Sequence, residues 1–260
     1  MFECNNVYSV WDKRLIRGVK NYRRLSKTVE YKGNRDQEKN EKVFSHEDLT
    51  TEMLNSLGVK NMYPGILEAD DVISWLSSQL DDHKVIISVD QDMLQLVDEK
   101  TDVYSPIKDQ LITYKNFEEV VGVPVNQFIR YKSLIGDKSD NLPGLERVGK
   151  KTAQKIVNNY PTDSMLSEKY TAEQLEPYYR NYKLIDLTEG HRQHPEDLEV
   201  YADQFNKLKT HEMDMIKFEQ LVDKTGMNAV KTKLDEWKSA FTPVDLSRSL
   251  ENIVKNLKLA

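Results

Sequence analysis

The run KVIISVD at residues 84–90 constrains the fold most. A short apolar stretch without alternation, closing on an acid, has the form of a strand covered on both faces in a parallel sheet. NNVYSVWD (5–12) reads as a strand ending on Asp12, and TDVYS (101–105) as a further strand. SHEDLTTEMLNSLG (45–58) predicts a helix with Ser45 as N-cap and Gly58 at its end. After the turn NMYPGI, LEADDVISWLSSQL (67–80) predicts a helix with Ile73, Leu76 and Leu80 on one face, and QDMLQLV (91–97) opens another. Alternation of this kind up to about residue 112 argues for α/β with a central, mostly parallel sheet. From FEEVVGVPVNQFIRYKSLIG (117–136) onward the pattern is helical, so the chain divides into an α/β part, 1–112, and an α-helical part, 113–260.

Charge is unevenly distributed. The net charge is −6, yet Lys13 to Lys42 holds eleven Lys or Arg against four acids. Such a run is either a solvated helix face or an arm that contacts phosphates, because clustered cations displace the counterions of a nucleic acid. Tyr22 and Tyr31 lie among these bases and offer rings for stacking. The single cysteine, Cys4, excludes an internal disulfide and fits a reducing cytoplasm. No apolar run approaches the roughly 18–20 residues of a membrane span and no signal peptide is legible, so a cytoplasmic protein with no membrane partner is expected.

Acids collect where strands end. Asp12 closes the first strand, Glu68, Asp70 and Asp71 open a helix, Asp90 and Asp92 follow VIIS, and Asp137 and Asp140 precede a Gly/Pro-rich turn. Taken singly, each has an ordinary explanation as a helix cap or as a charge favourable to a helix N-terminus. Together they fall along the edge where the carboxyl ends of parallel strands bind ligands. Their repulsion would be costly unless cations lay among them. A donor set of oxygens without His or Cys favours Mg²⁺ or Mn²⁺, and two such ions about 3.5–4 Å apart can clamp a phosphodiester.

The following LPGLERVGKKTAQKIV (142–157) reads as a phosphate-binding turn and helix. Gly144 and Gly149 permit close backbone approach, a helix N-terminus starts near Lys150, and Lys150, Lys151 and Lys155 add charge. Ala153, Ile156 and Val157 predict the buried side of that helix. An ordinary loop and helix is the alternative.

YKGNRD (31–36), EADD (68–71), SVDQDMLQLV (88–97) and GDKSDNLPGLERVGKKTAQKIV (136–157) stand in the order found in the 5′ nuclease family, and the sequence resembles its phage 5′-3′ exonucleases, flap endonucleases and the 5′-nuclease domain of DNA polymerase I. The resemblance extends from Val7 to about Leu187 and implies a PIN-like sheet, a helical arch and a helix–three-turn–helix module at 134–157. It implies two divalent ions held by Asp12, Glu68, Asp70, Asp71, Asp90, Asp92, Asp137 and Asp140. Glu68 and Asp70 would lie toward one ion, and Asp92, Asp137 and Asp140 toward the other. Lys32 and Arg35 match the basic pair that steers the scissile phosphate, giving Lys32, Arg35, Asp12 and Asp70 as the catalytic set. Tyr31, Lys32, Arg35, Gly144, Val148, Gly149, Lys150 and Lys151 form the implied DNA-binding set, with K⁺ on backbone carbonyls of the module. The implied partners are DNA with 5′ ends or flaps, RNA–DNA hybrids, and replication proteins.

Two departures stand out. Arg147 occupies a turn position where the family commonly has Gly. Family members also open with an apolar strand whose aspartate ligates metal, whereas Met1 here lies eleven residues before Asp12. A separate peptide or an earlier start codon would then supply that strand. The alternatives are a non-catalytic protein that binds branched DNA, one half of a split nuclease, and a different metal phosphoesterase. The final stretch, including Trp237 and LENIVKNLKL, is expected to pack on the helical part or to dock a replication partner.

Overall fold

The structure, a computed structural model, describes residues 4–26, 29–33 and 46–242. Along the chain run β1 (Tyr8–Val10), a 3-10 helix (Tyr22–Leu25), α1 (Glu47–Ser56), β2 (Lys60–Met62), α2 (Ala69–Gln79) and β3 (Lys84–Ile87). A 3-10 helix (Gln91–Leu96), β4 (Thr101–Ser105), β5 (Gln110–Ile112), α3 (Phe117–Val121) and α4 (Phe128–Ile135) follow. Next come β6 (Gly136–Asp137), β7 (Leu142–Pro143), α5 (Lys150–Asn159), α6 (Asp163–Lys169) and α7 (Ala172–Ile185). The last described elements are α8 (Leu187–Gln193), α9 (Glu196–Leu208), α10 (Met215–Thr225), α11 (Asn228–Lys231) and α12 (Leu234–Phe241).

These elements form two compact units that interleave in sequence. One comprises residues 1–10, 37–62 and 204–260. In it β1 runs parallel to β2, with Tyr8 opposite Lys60 and Val10 opposite Met62. Leu57, Val59, Phe218 and Val222 form its core, with Trp237 and Phe241 stacked beside them. The helix at 45–58 ends as expected: Gly58 takes φ +81°, a conformation that strains any residue with a Cβ. Its N-cap is His46, while Ser45 lies outside the described residues.

The second unit comprises residues 11–36 and 63–203 and contains all the described candidate acids. Its core joins Met93, Val97, Val103 and Ile112 to Phe117, Phe128, Leu134, Val157, Leu175 and Tyr178. Packing therefore runs straight across residue 112, and the division expected there follows a change of secondary structure, not a gap in the core. α2 buries Val72, Trp75 and Leu76, a stripe with helical spacing, while Ile73 and Leu80 are half-buried.

Strands and helices combine as expected, but the described strands do not make one central sheet. They form the parallel pair β1–β2, a three-stranded sheet β3–β4–β5, and a hairpin β6–β7. β3 lies parallel to β4, and β4 antiparallel to β5. Nor is β3 covered on both faces: Ile87 is 64% exposed, and β3 is an edge strand among the described residues. No described helix is long and apolar enough to cross a membrane.

Candidate active site

The Pro64–Leu67 backbone presents the first acids. Asp197, in the first turn of α9, is wholly buried and accepts hydrogen bonds from the backbone N–H groups of Gly65 (3.1 Å), Ile66 (2.8 Å) and Leu67 (2.9 Å). Tyr201 donates its hydroxyl to the same carboxylate at 2.9 Å. A Cβ on Gly65 would fall 2.4 Å from Asp197 Oδ1, so only glycine fits that close approach. This arrangement delivers Glu68 to the N-cap of α2 and Asp70 and Asp71 to its first turn.

Asp71 is already committed. Arg23 donates to both of its oxygens, Nη1 to Oδ2 at 2.7 Å and Nη2 to Oδ1 at 2.8 Å, while Asp71 also accepts the Glu68 N–H at 3.1 Å. Arg23 is 2% exposed and further donates Nε to the Leu184 carbonyl. Gly190 makes room for this pair, since a Cβ there would lie 2.4 Å from Asp71 Oδ1. The expected ligand thus serves as an anchor for the helix that carries Glu68 and Asp70.

Glu68 receives Lys32 Nζ at 2.9 Å and the Tyr31 hydroxyl at 3.1 Å on the same oxygen. Burial pushes its carboxyl up, but Lys32 and Arg23 outweigh burial and hold it below the usual range. The Lys32 backbone takes φ 55° and donates to the Asp140 carbonyl, joining the 31–33 turn to the 137–140 segment. Asp12 accepts a hydrogen bond from Ala69 N–H at the start of α2, and partial burial followed by the Glu68 charge raises its carboxyl.

Asp70 lies where the groups meet. Burial first, and then Asp90, Glu68 and Asp92 against the opposing pull of Lys32, push its carboxyl up to about 7. Asp90 caps the 3-10 helix after β3 and accepts the Asp92 N–H at 2.8 Å. Asp92 is pushed up to about 6 by burial, with Lys132 opposing and Asp90 and Asp137 adding to the rise. Asp137 behaves oppositely. Burial raises it, but Lys132 and Ser139 prevail and hold it at about 2. Asp140, 7% exposed, donates its backbone N–H to Asp137 Oδ1 at 3.3 Å.

Residues from five separate segments thus converge within one unit. Among the described residues, however, no three acids are grouped closely enough to hold a metal as they stand. The physical reason is visible: Lys32, Arg23 and Lys132 lie among the carboxylates and take up their oxygens. The donor chemistry fits a hard divalent cation, because every side-chain ligand would be oxygen, and burial followed by neighbouring carboxylates pushes Asp70 and Asp92 up. Asp12, Asp70 and Asp90 have no ion pair recorded among the described residues.

The phosphate-binding segment divides. Gly149, Lys150, Lys151 and Lys155 are exposed, and a Cβ on Gly149 would meet open space, whereas Ala153, Ile156 and Val157 are buried as expected. Gly144 is half-buried. A Cβ there would lie 2.4 Å from the Ile135 backbone, so the close packing after α4 by itself requires glycine. Val148 is half-buried against the core. Arg147 stands at φ 61°, which explains why a glycine suits that turn. Tyr31 is 6% exposed, with Lys32 Nζ 5.0 Å from its ring centroid. Arg35 lies outside the described residues.

A family model for the 5′-3′ exonuclease N-terminal resolvase-like domain matches residues 3–122, and one for the 5′-3′ exonuclease C-terminal SAM fold matches 123–238. The 5′-3′ exonuclease of Aquifex aeolicus is 34% identical over 203 residues, covering 70% of this chain and 68% of that protein. The chain belongs to the 5′-3′ exonuclease family. Another member, the 5′-3′ exonuclease of Buchnera aphidicola, is 38% identical over 135 residues, 50% of this chain and 46% of that protein. The chain spans about half the length of several curated 5′-3′ exonucleases it matches. Bacteriophage T5 5′-exonuclease with bound zinc has the same fold, with a TM-score of 0.64 at 22% identity over 79% of this chain and 84% of that one. The T5 flap endonuclease in complex with DNA and metal ions gives 0.63 at 23% identity, covering 78% and 82%.

Membership in the 5′-3′ exonuclease family leaves three residues that sequence reasoning missed. Lys132 shares a face of α4 with Phe128, so a cation on a buried face just before GDKSD was a legible signal. Arg23 was indistinguishable from the other bases of its run. Asp197 had no sequence signal, since apart from Tyr201 its partners are backbone groups some 130 residues away.

Proposed function

We propose that this chain hydrolyses phosphodiesters near the 5′ ends of DNA, as a 5′-3′ exonuclease and flap endonuclease, and accepts RNA primers paired to DNA. The observation that carries this reading is the convergence of Asp12, Glu68, Asp70, Asp90, Asp92, Asp137 and Asp140 with Lys32 in one unit. Support comes from relatives named 5′-3′ exonuclease and from a T5 neighbour described in complex with DNA and metal ions. Glu68, Asp70, Asp12 and Asp90 would hold one Mg²⁺ or Mn²⁺, and Asp92, Asp137 and Asp140 a second. When bound, such ions supply positive charge to the phosphate and lower the pKa of attacking water. Lys32 lies on Glu68 and can pass its charge to a phosphate oxygen once the carboxylate is otherwise neutralised. Arg23 and Asp197 keep α2 and the turn before it in place. Exposed Lys150, Lys151 and the free N-terminus of α5 take the duplex backbone.

A second reading has a specific observation behind it: Glu68, Asp71, Asp92 and Asp137 are paired to cations, and no three described acids are grouped as a ready metal site. In that reading the chain holds branched DNA without cutting it. Release of a 5′ label from flap, nicked and RNA-primed duplexes, with Mg²⁺ or with chelator, separates the two. Mg²⁺-dependent release that Asp70→Asn abolishes supports the nuclease. Tight binding of the flap with no cleavage establishes the second reading.

A further inference from the structure

Besides Arg23 and Lys32, a third buried cation stands inside the acid cluster. Lys132 is 4% exposed, and its Nζ lies 2.9 Å from Asp137 Oδ2 and in direct contact with Asp92 Oδ1. Its partners come from different places in the fold, Asp92 from the 3-10 helix after β3 and Asp137 from β6, so the ammonium ties the strand end to the hairpin. Both carboxylates belong to the same proposed ion position. An ammonium on these oxygens competes with and repels a divalent ion, and a lysine on a flexible four-carbon stem can withdraw where an arginine fork would not. The Asp70 half differs. Lys32, Arg23 and Arg14 lie 2.9, 3.7 and 3.8 Å from Glu68 oxygens, but Asp70, Asp90 and Asp12 form no ion pair with a described residue, so those three carboxylates still attract a cation.

We propose that Lys132 is a displaceable counter-ion built into the fold: it neutralises Asp92 and Asp137 when no divalent ion is there, and must leave them for an ion to enter. The inference rests on the metal-dependent reading above. The half of the site around Asp92 and Asp137 then binds its ion more weakly than the half around Asp70. Lys132 is a positioning residue in this scheme, and its effect falls on ion affinity and on the stability of the metal-free protein.

The test is Mn²⁺ titration of the whole chain, with free Mn²⁺ read by electron paramagnetic resonance, for wild type and Lys132→Met. The expected wild-type result is one tight and one weak class. In Lys132→Met the weak class tightens by about tenfold or more, because a neighbouring positive charge has gone. Without metal the variant should melt about 5 °C or more lower, with Mn²⁺ restoring most of the loss. Unchanged or weaker Mn²⁺ binding by the variant overturns the role of Lys132 while leaving the metal reading intact. Absence of Mn²⁺ binding by both proteins overturns the metal reading itself. Should the variant not fold, reductive methylation of wild type decides the matter: Lys132 should be protected without metal and become modified when Mn²⁺ is added. Equal modification in both conditions overturns the proposal.

Discussion

Burial and the charges of Asp90, Glu68 and Asp92 hold the Asp70 carboxyl at about 7, whereas in an unfolded chain it ionises near 4. Between those values the folded protein keeps a proton the unfolded chain has lost, so stability falls as pH rises from about 4 to about 7. Asp92, at about 6, acts in the same direction. Asp137, at about 2, acts oppositely: its contribution is present above about pH 4 and is lost as pH falls toward 2. The metal-free melting temperature of wild type should therefore fall between pH 5 and 8, and Asp70→Asn should flatten that fall and raise stability at pH 8. Thermal melts across the pH range check this, and a variant less stable than wild type at pH 8 would contradict the electrostatic account. Arg147, at φ 61° with its side chain 90% exposed, stands in a conformation that costs a residue with a Cβ about 1 kcal/mol. Arg147→Gly is expected to stabilise the protein by about 0.5–1 kcal/mol in urea unfolding.

At the scale of elements, α2 is held from outside itself. Asp197 collects the N–H groups of Gly65, Ile66 and Leu67, and Arg23 grips Asp71 in the first turn of α2. Asp197→Ala would orphan three backbone donors at once, at a cost of about 3 kcal/mol or more, measured by urea unfolding. α5 contributes differently, since its buried face is apolar while Lys150 and Lys151 stand in solvent. Replacing both by Ala should leave the melting temperature unchanged and weaken binding to duplex DNA of any sequence. Its salt dependence should fall by about two phosphate contacts. A loss of stability with unchanged DNA affinity would place these lysines in the fold and not at the DNA.

For the molecule as a whole, a strongly basic run sits within a chain of net charge −6. The acid cluster raises the free energy of the metal-free protein, so Mg²⁺ should raise the melting temperature more at pH 8 than at pH 6, because protonated Asp70 and Asp92 compete with the ion at the lower pH. Equal Mg²⁺ stabilisation at both pH values would show that the ion binds elsewhere.

Local pattern made much of this legible. The helix over 69–79, the strands at 84–87 and 101–105, the amphipathic helix after Gly149 and the collection of acids at element ends are each written in residue type and spacing, because helix and strand periodicity and turn chemistry act over a few residues. Those signals also singled out Asp70, Asp92, Asp137 and Lys32, which the fold brings into one unit. Long-range pairing decided the rest. Arg23 on both oxygens of Asp71 and the Ile135 backbone against Gly144 are contacts that no local pattern announces. Lys132 shows the division most clearly. The chain supplies a lysine on an apolar helix face, but only the folded structure sets it between Asp92 and Asp137, since electrostatic partners are chosen by distance in space and not by separation along the sequence.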